Sequence, residues 1–187
     1  EQVERAMAQM TELFEFVVDT VSQIVLPSGQ GTSNWTMGWS ARRFLCIGQN
    51  DFTCMISPEM FDRFCFQDIV QTTNYVDRSI YHLDGPGAIR HLDRILGMER
   101  LNCLQWIQGA GAPYPSRWLG LLRRVQAAGK SVQVYYGPTH GDEADMAEEL
   151  RILCRELDRD RLFFWATVGS IEEADRLVRI AEEPARG

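Results

Sequence analysis

The amino-acid sequence predicts an α/β fold in which βα units form a parallel sheet. Segments rich in Val, Ile, Phe, Tyr and Trp alternate with amphipathic segments of helical periodicity. Capping residues and glycines mark the points at which those helices begin and end. Such units form either a partial or complete (β/α)8 barrel of the TIM type or an open, five-stranded, doubly wound sheet.

Residues 1–33 are predicted to form an amphipathic helix followed by a linker. Apolar side chains recur at helical spacing from Val3 to Val25, and Pro27 ends the helix. The Gly- and Ser-rich stretch 28–33 is typical of a flexible connection. The rest of the chain, residues 34–187, is predicted to form the domain of βα units.

That domain is predicted to contain five strands, each followed by a helix. Ser57, Ser116 and Ser170 can cap three of the helices, and Gly129 can close one of them. The predicted strands are 44–48, 79–83, 102–107, 131–136 and 162–168. The predicted helices are 57–75, 88–96, 116–128, 142–157 and 170–182.

The chain is short for a closed barrel. A complete (β/α)8 barrel takes about 250 residues, whereas this chain has 187. The length therefore suits either part of a barrel or an open doubly wound sheet.

Composition argues against several classes of partner. A net charge of −7 without a Lys/Arg-rich stretch argues against nucleic-acid binding. No apolar run approaches the roughly 20 residues needed to span a bilayer, and the N-terminus lacks the layout of a signal peptide. Five cysteines without a Cys-x-x-Cys pair suit reduced thiols. We therefore expect a cytoplasmic protein that binds neither nucleic acid nor membrane.

Candidate site residues lie at the predicted carboxyl ends of the strands, where parallel sheets and barrels bind ligands. Dinucleotide-binding and P-loop motifs are absent. Residues two apart on a strand share a face, so His82 and Asp84, in the stretch YHLDGPG, can converge on one ligand. The predicted catalytic residues are His82, Asp84, Asp51 and Tyr136, and the predicted substrate-binding residues are Gln105, Trp106, Gln108, Gly109 and His140.

An imidazole beside a carboxylate suits a divalent metal such as Zn, Fe or Mn, or a general base with its orienting partner. His82 and Asp84 are therefore the predicted metal ligands. His91 is expected to be a solvated residue on a helix surface. The backbone amide of Gly109 could bind an anion, although glycine there equally suits a tight turn. Trp106 could stack on a planar ligand or belong to the core.

Four stretches of the chain, taken in order, resemble a known family. They are DFTCMISPEMFDRFCFQDIV, YHLDGPG, LQWIQGAG and GKSVQVYYGP. Their order and spacing resemble the C-terminal half of the uroporphyrinogen decarboxylase superfamily, which includes cobalamin-dependent and zinc-dependent methyltransferases. The resemblance covers Arg43 to Ala181 and implies a (β/α)8-related fold.

Three functions stay open, of which the resemblance implies the first two. His82 stands where the family has a histidine, whereas Asp84 replaces a zinc-binding cysteine of the methyltransferases, so a bound metal would have harder, oxygen ligands. The first function is one-carbon transfer between a small molecule and a corrinoid protein. The second is decarboxylation of a carboxylated or tetrapyrrole substrate. The third is a non-catalytic half-barrel that forms a homo-oligomer or joins a partner chain to complete the barrel.

Overall fold

The computed structural model describes residues 1–137 and 145–183 and shows an α/β protein. Its strands are β1 (Thr32–Ser33), β2 (Trp39–Ser40), β3 (Phe44–Gln49), β4 (Arg78–Asp84), β5 (Cys103–Ile107), β6 (Ser131–Tyr136) and β7 (Leu162–Ala166). Its α-helices are α1 (Gln2–Val25), α2 (Pro58–Phe61), α3 (Gln67–Tyr75), α4 (Leu92–Leu96), α5 (Leu119–Ala127), α6 (Met146–Glu156) and α7 (Ile171–Glu182).

Strands β3 to β7 form one five-stranded parallel sheet, which confirms the predicted fold class. Neighbouring strands in the sheet follow the order of the chain. A doubly wound sheet reverses its strand order at a switch point, and these five strands show no reversal. The strand order therefore favours part of a barrel over the doubly wound alternative.

The chain divides into two compact units. The first contains residues 1–83 and 87–105, and the second contains residues 84–86 and those from 106 onward. Within the first unit, β1 and β2 form a separate antiparallel pair in which Thr32 lies opposite Ser40. The linker predicted to end at residue 33 thus includes the first strand of a hairpin.

Helix α1 packs one face against α3 in the first unit. Thr11 and Val18 are buried on this face, and the Thr11 hydroxyl donates to Asp68 Oδ1 of α3 at 3.2 Å. The predicted helix and its end at Val25 are confirmed. Among the described residues, neither α1 nor any other helix has the length and apolar character needed to cross a membrane.

A long helical segment follows β3 in the first unit. Ser57 caps it as predicted, because its Oγ accepts a hydrogen bond from the Met60 amide at 3.2 Å. The segment runs through α2, a π-helical stretch at Asp62–Phe66 and α3, and it ends at the predicted Tyr75. The capping signal and the proline at the first position therefore placed this helix correctly.

The second unit contains its own core between α6 and α7. Ala147 and Leu150 of α6 pack with Leu177 and Ile180 of α7. Beside them, β6 and β7 pair in parallel. Ser170 caps α7 as predicted, since its Oγ accepts from the Glu173 amide at 3.1 Å.

Three predicted helices differ in the structure. Residues 142–144 of the helix predicted at 142–157 lie outside the described residues, and α6 begins at Met146. Ser116 does not cap a helix, because it lies in a 3₁₀ turn at Pro115–Trp118 and α5 begins only at Leu119. The Ser116 amide and hydroxyl instead donate to the buried Glu149 carboxylate, at 3.0 and 2.6 Å. A charged acceptor forms stronger hydrogen bonds than a neutral one. The predicted helix 88–96 also begins as a 3₁₀ turn, at Pro86–His91.

Candidate functional site

The candidate site lies where β3 and β4 end. The parallel register places Gln49 opposite His82, and β3 is followed by Asn50 and the 3₁₀ segment Asp51–Met55. Because the carboxyl ends of neighbouring parallel strands meet at one edge of a sheet, Asp51 comes close to His82. Asp51 Oδ1 lies 3.7 Å from His82 Nε2.

A buried glutamine holds the His82 ring. His82 is only 9% exposed, and its Nδ1 lies 2.5 Å from Oε1 of the fully buried Gln105 on β5. A carbonyl oxygen can only accept a hydrogen bond, so Nδ1 carries the hydrogen and Nε2 of the neutral ring carries the lone pair. Gln105 thereby fixes the orientation and the tautomer that a metal ligand or a general base requires.

Asp84 adds a second carboxylate to this site. It is the last residue of β4 and, being two residues after His82, points from the same face of the strand. One ligand atom from each of Asp51, His82 and Asp84 lies within 4.8 Å of the others. The structure therefore brings together three of the four predicted catalytic residues. The imidazole is buried, whereas Asp51 is 55% exposed.

The chemistry of these groups is that of a hard metal site. One imidazole nitrogen and two carboxylates suit Zn, Fe or Mn and do not require a thiolate. Cys46 lies nearby on β3, but burial raises the pKa of its thiol to about 11. The free thiol therefore stays protonated at neutral pH.

A second buried histidine anchors the segment that carries Asp51. His91 Nε2 donates to the backbone oxygen of Thr53 at 2.9 Å, and its ring stacks on Phe61 with centroids 4.3 Å apart. His91 is only 1% exposed, so the prediction that it is a solvated surface residue is wrong. The 3₁₀ turn at Pro86–His91 is wound more tightly than an α-helix, which changes the face on which its last residue lies.

A tyrosine on the opposite face of β4 holds the residue before Asp51. The Asn50 side chain lies close to the hydroxyl of Tyr81, which is only 1% exposed. Burial raises the pKa of Tyr81 well above its usual range, so the hydroxyl stays neutral. The Thr53 and Asn50 contacts together fix both sides of Asp51.

Sequence reasoning missed one aromatic contact in the site. Trp35, in the loop between β1 and β2, meets the His82 ring edge-on, with centroids 4.9 Å apart and planes at 76°. Trp35 itself is 43% exposed. No motif or periodicity links this loop to β4, so a tryptophan in a Gly- and Ser-rich stretch was the only signal.

Trp106 and Gln108 lie in the second unit and are both buried. The Trp106 ring meets Trp118 edge-on with centroids 5.0 Å apart. Within the described ranges, neither Trp106 Nε1 nor either polar side-chain atom of Gln108 has a hydrogen-bond partner. Buried polar groups of this kind normally bind water or a ligand, which keeps both residues candidates for substrate binding.

The remaining predicted residues also follow strands of the second unit. Tyr136 is buried and stacks on Tyr114 with centroids 4.6 Å apart. Burial, and then the hydrogen bond to Tyr114, raise the pKa of Tyr136. Gly109 has a φ of +86°, which suits the turn interpretation of this glycine. His140 lies outside the described residues.

Comparison with known proteins identifies no relative of this chain. No family model matches it, and no curated protein or solved structure matches it significantly. The resemblance to the uroporphyrinogen decarboxylase superfamily therefore stays a prediction that depends on four stretches of sequence.

Proposed function

We propose that this chain is an enzyme that acts on a small molecule through a divalent metal held by Asp51, His82 and Asp84. The observation that carries the proposal is the arrangement around His82. Three potential ligands of hard-metal type converge there, and a buried glutamine fixes the ring that supplies the nitrogen ligand. A histidine that binds a metal usually donates its other N–H to such a partner.

Each residue has a distinct role in this proposal. His82 would contribute the lone pair of Nε2, and Asp51 and Asp84 would contribute carboxylate oxygens that offset the charge of the ion. A divalent metal at this position would polarise a substrate oxygen or lower the pKa of bound water. The exposure of Asp51 leaves one side of the site accessible to a substrate. The burial of His82 excludes water from the other side.

One-carbon transfer is the first candidate reaction. It is supported by the resemblance to the methyltransferase branch, with a corrinoid protein as the expected partner and the cytoplasm as the expected location. Gln105, Trp106, Gln108, Gly109 and His140 are the candidate substrate-binding residues, and Tyr136 is a candidate catalytic residue. Activation of a thiol substrate suits a zinc site with cysteine ligands better than it suits this oxygen-rich ligand set.

Two alternatives stay open. Decarboxylation of a carboxylated or tetrapyrrole substrate is supported by the other branch of the same family resemblance. A non-catalytic half-barrel is supported by the sheet, whose five strands follow chain order as successive barrel strands do. A half-barrel of this kind would be completed by a second copy or by a partner chain.

Metal titration tests the proposal directly. The chelator-treated chain is expected to bind about one Mn²⁺ per molecule, measured as loss of the free-ion signal in electron paramagnetic resonance. Asp84→Asn and Asp51→Asn should each weaken binding. Asp62→Asn is the matched control, because Asp62 is also an aspartate that solvent reaches but pairs with Arg94 outside the site. Equal binding by all four proteins, or no binding by the unaltered chain, would refute the metal site.

The orienting role of Gln105 gives a separate prediction. Gln105→Leu is expected to weaken Mn²⁺ binding by about 10- to 100-fold, because the His82 Nδ1–H loses its acceptor and the ring loses its fixed tautomer. Gln105→Glu keeps an acceptor oxygen at the same position and should bind Mn²⁺ more tightly than the leucine variant. The two variants are compared by the same titration after circular dichroism shows equal folding. An affinity of the leucine variant equal to that of the unaltered chain would contradict this role.

A further inference from the structure

Helix α1 has two apolar faces, and only one of them is packed within the first unit. Thr11 and Val18 lie on the face that contacts α3. A second set of side chains on the same helix is exposed. These residues, which we call the α1 seam, are Val3, Ala6, Met10, Leu13, Val17, Thr20 and Ile24.

The seam has the spacing of a coiled coil. Val3, Met10, Val17 and Ile24 recur every seven residues, and Ala6, Leu13 and Thr20 stand three residues after the first three of them. These are the a and d positions of a heptad repeat, which two helices bury against each other when they supercoil. Three of the four a positions are β-branched and the central d position is leucine, a combination that favours two parallel strands.

The positions that flank the seam carry no charge. The g positions are Gln2, Gln9, Phe16 and Gln23, and the e positions are Met7, Phe14 and Val21. In parallel coiled coils, charges at e and g select a different partner or repel an identical one. Without such charges, a second copy of the same helix meets no like-charge repulsion along the seam.

The seam side chains are also well exposed. Val3, Met10, Leu13, Val17 and Ile24 are between 49% and 72% exposed. Together with the exposed Phe16 and Val21 they form an apolar surface along the helix, and such contiguous surfaces mark interaction sites. At one end, Val3 and Met10 also line a cavity of about 620 Å³ with Phe52, Met60 and Phe64.

We infer that the α1 seam is a homodimer interface in which the α1 helices of two copies pair in parallel and in register. Each a residue then packs against its own counterpart, and so does each d residue. This inference does not depend on the proposed metal site, which involves none of the seam residues.

Sedimentation equilibrium of the full 187-residue chain tests the interface. The unaltered chain is expected to be dimeric at high micromolar concentration. Leu13→Glu, at an exposed d position, is expected to abolish the dimer, because two carboxylates would face each other in the seam. Ala8→Glu is the matched control: it adds the same side chain at an exposed position of α1 outside the seam and should stay dimeric.

A mixture of two variants tests the parallel register. Leu13→Lys alone should also be monomeric, but an equal mixture of Leu13→Glu and Leu13→Lys should recover the dimer through a charge pair at position 13. Circular dichroism of each variant checks that the fold is retained. A monomeric unaltered chain, a Leu13→Glu variant that remains dimeric, or a mixture that stays monomeric would each overturn the proposed pairing.

Discussion

Replacement of His82 by alanine is expected to weaken Mn²⁺ binding by roughly 100-fold or more, a larger effect than that of any other single change in the site. The alanine removes the nitrogen ligand itself, whereas Gln105→Leu removes only the group that orients it. It also leaves the Gln105 side chain, which is fully buried, without its contact to the imidazole. Asp51 and Asp84 alone would offer two ligands in place of three, which weakens the hold on any divalent ion.

The measurement must separate loss of a ligand from loss of folding. His82→Ala removes a hydrogen bond and a buried ring, so it should also lower the free energy of unfolding, by about 1–3 kcal/mol. The Mn²⁺ affinities of the unaltered chain and of His82→Ala are therefore compared without urea, at a temperature at which circular dichroism shows that both proteins are folded. The double variant His82→Ala with Gln105→Leu should bind Mn²⁺ no more tightly than His82→Ala alone. Recovery of metal binding in the double variant would show that His82 acts only on stability.

Much of the fold could be predicted because it depends on local signals. Ser57 and Ser170 cap the helices that they were predicted to cap, since a serine hydroxyl next to a free helix amide needs only neighbouring residues. Ser116 has the same local signal, yet it binds Glu149, a residue 33 positions away in the sequence. The sequence contains no indication of that contact, which depends on how α6 packs against the turn.

In the candidate site, too, some contacts could be predicted from the sequence and others depend on the tertiary structure. The approach of Asp51 to His82 follows from a general rule, because neighbouring parallel strands place their carboxyl ends at one edge. The pairing of Gln105 with His82 depends on the register between strands, which the sequence does not specify at the level of one residue. The burial of His91 likewise depends on a 3₁₀ turn, which periodicity cannot distinguish from the start of an α-helix.

Position 48 has no room for a side chain, so it requires glycine. It lies at an irregularity in the register between β3 and β4, directly opposite Tyr81. A methyl group on Gly48 would overlap Cε2 and Cδ2 of the Tyr81 ring. The ring cannot move aside easily, because Tyr81 is only 1% exposed.

Gly48→Ala is therefore expected to lower the free energy of unfolding by about 3 kcal/mol, the upper part of the range for overpacking a core. Urea denaturation measures the loss. Gly120→Ala is the control, because no atom lies near the added methyl group in α5. This control change should be neutral or should stabilise the protein by up to about 1 kcal/mol. Tyr81→Ala removes the ring that blocks the methyl group, so adding Gly48→Ala to that variant should cost far less than 3 kcal/mol. If Gly48→Ala costs the same with and without the tyrosine ring, the overlap with Tyr81 is not the reason that glycine is needed at this position.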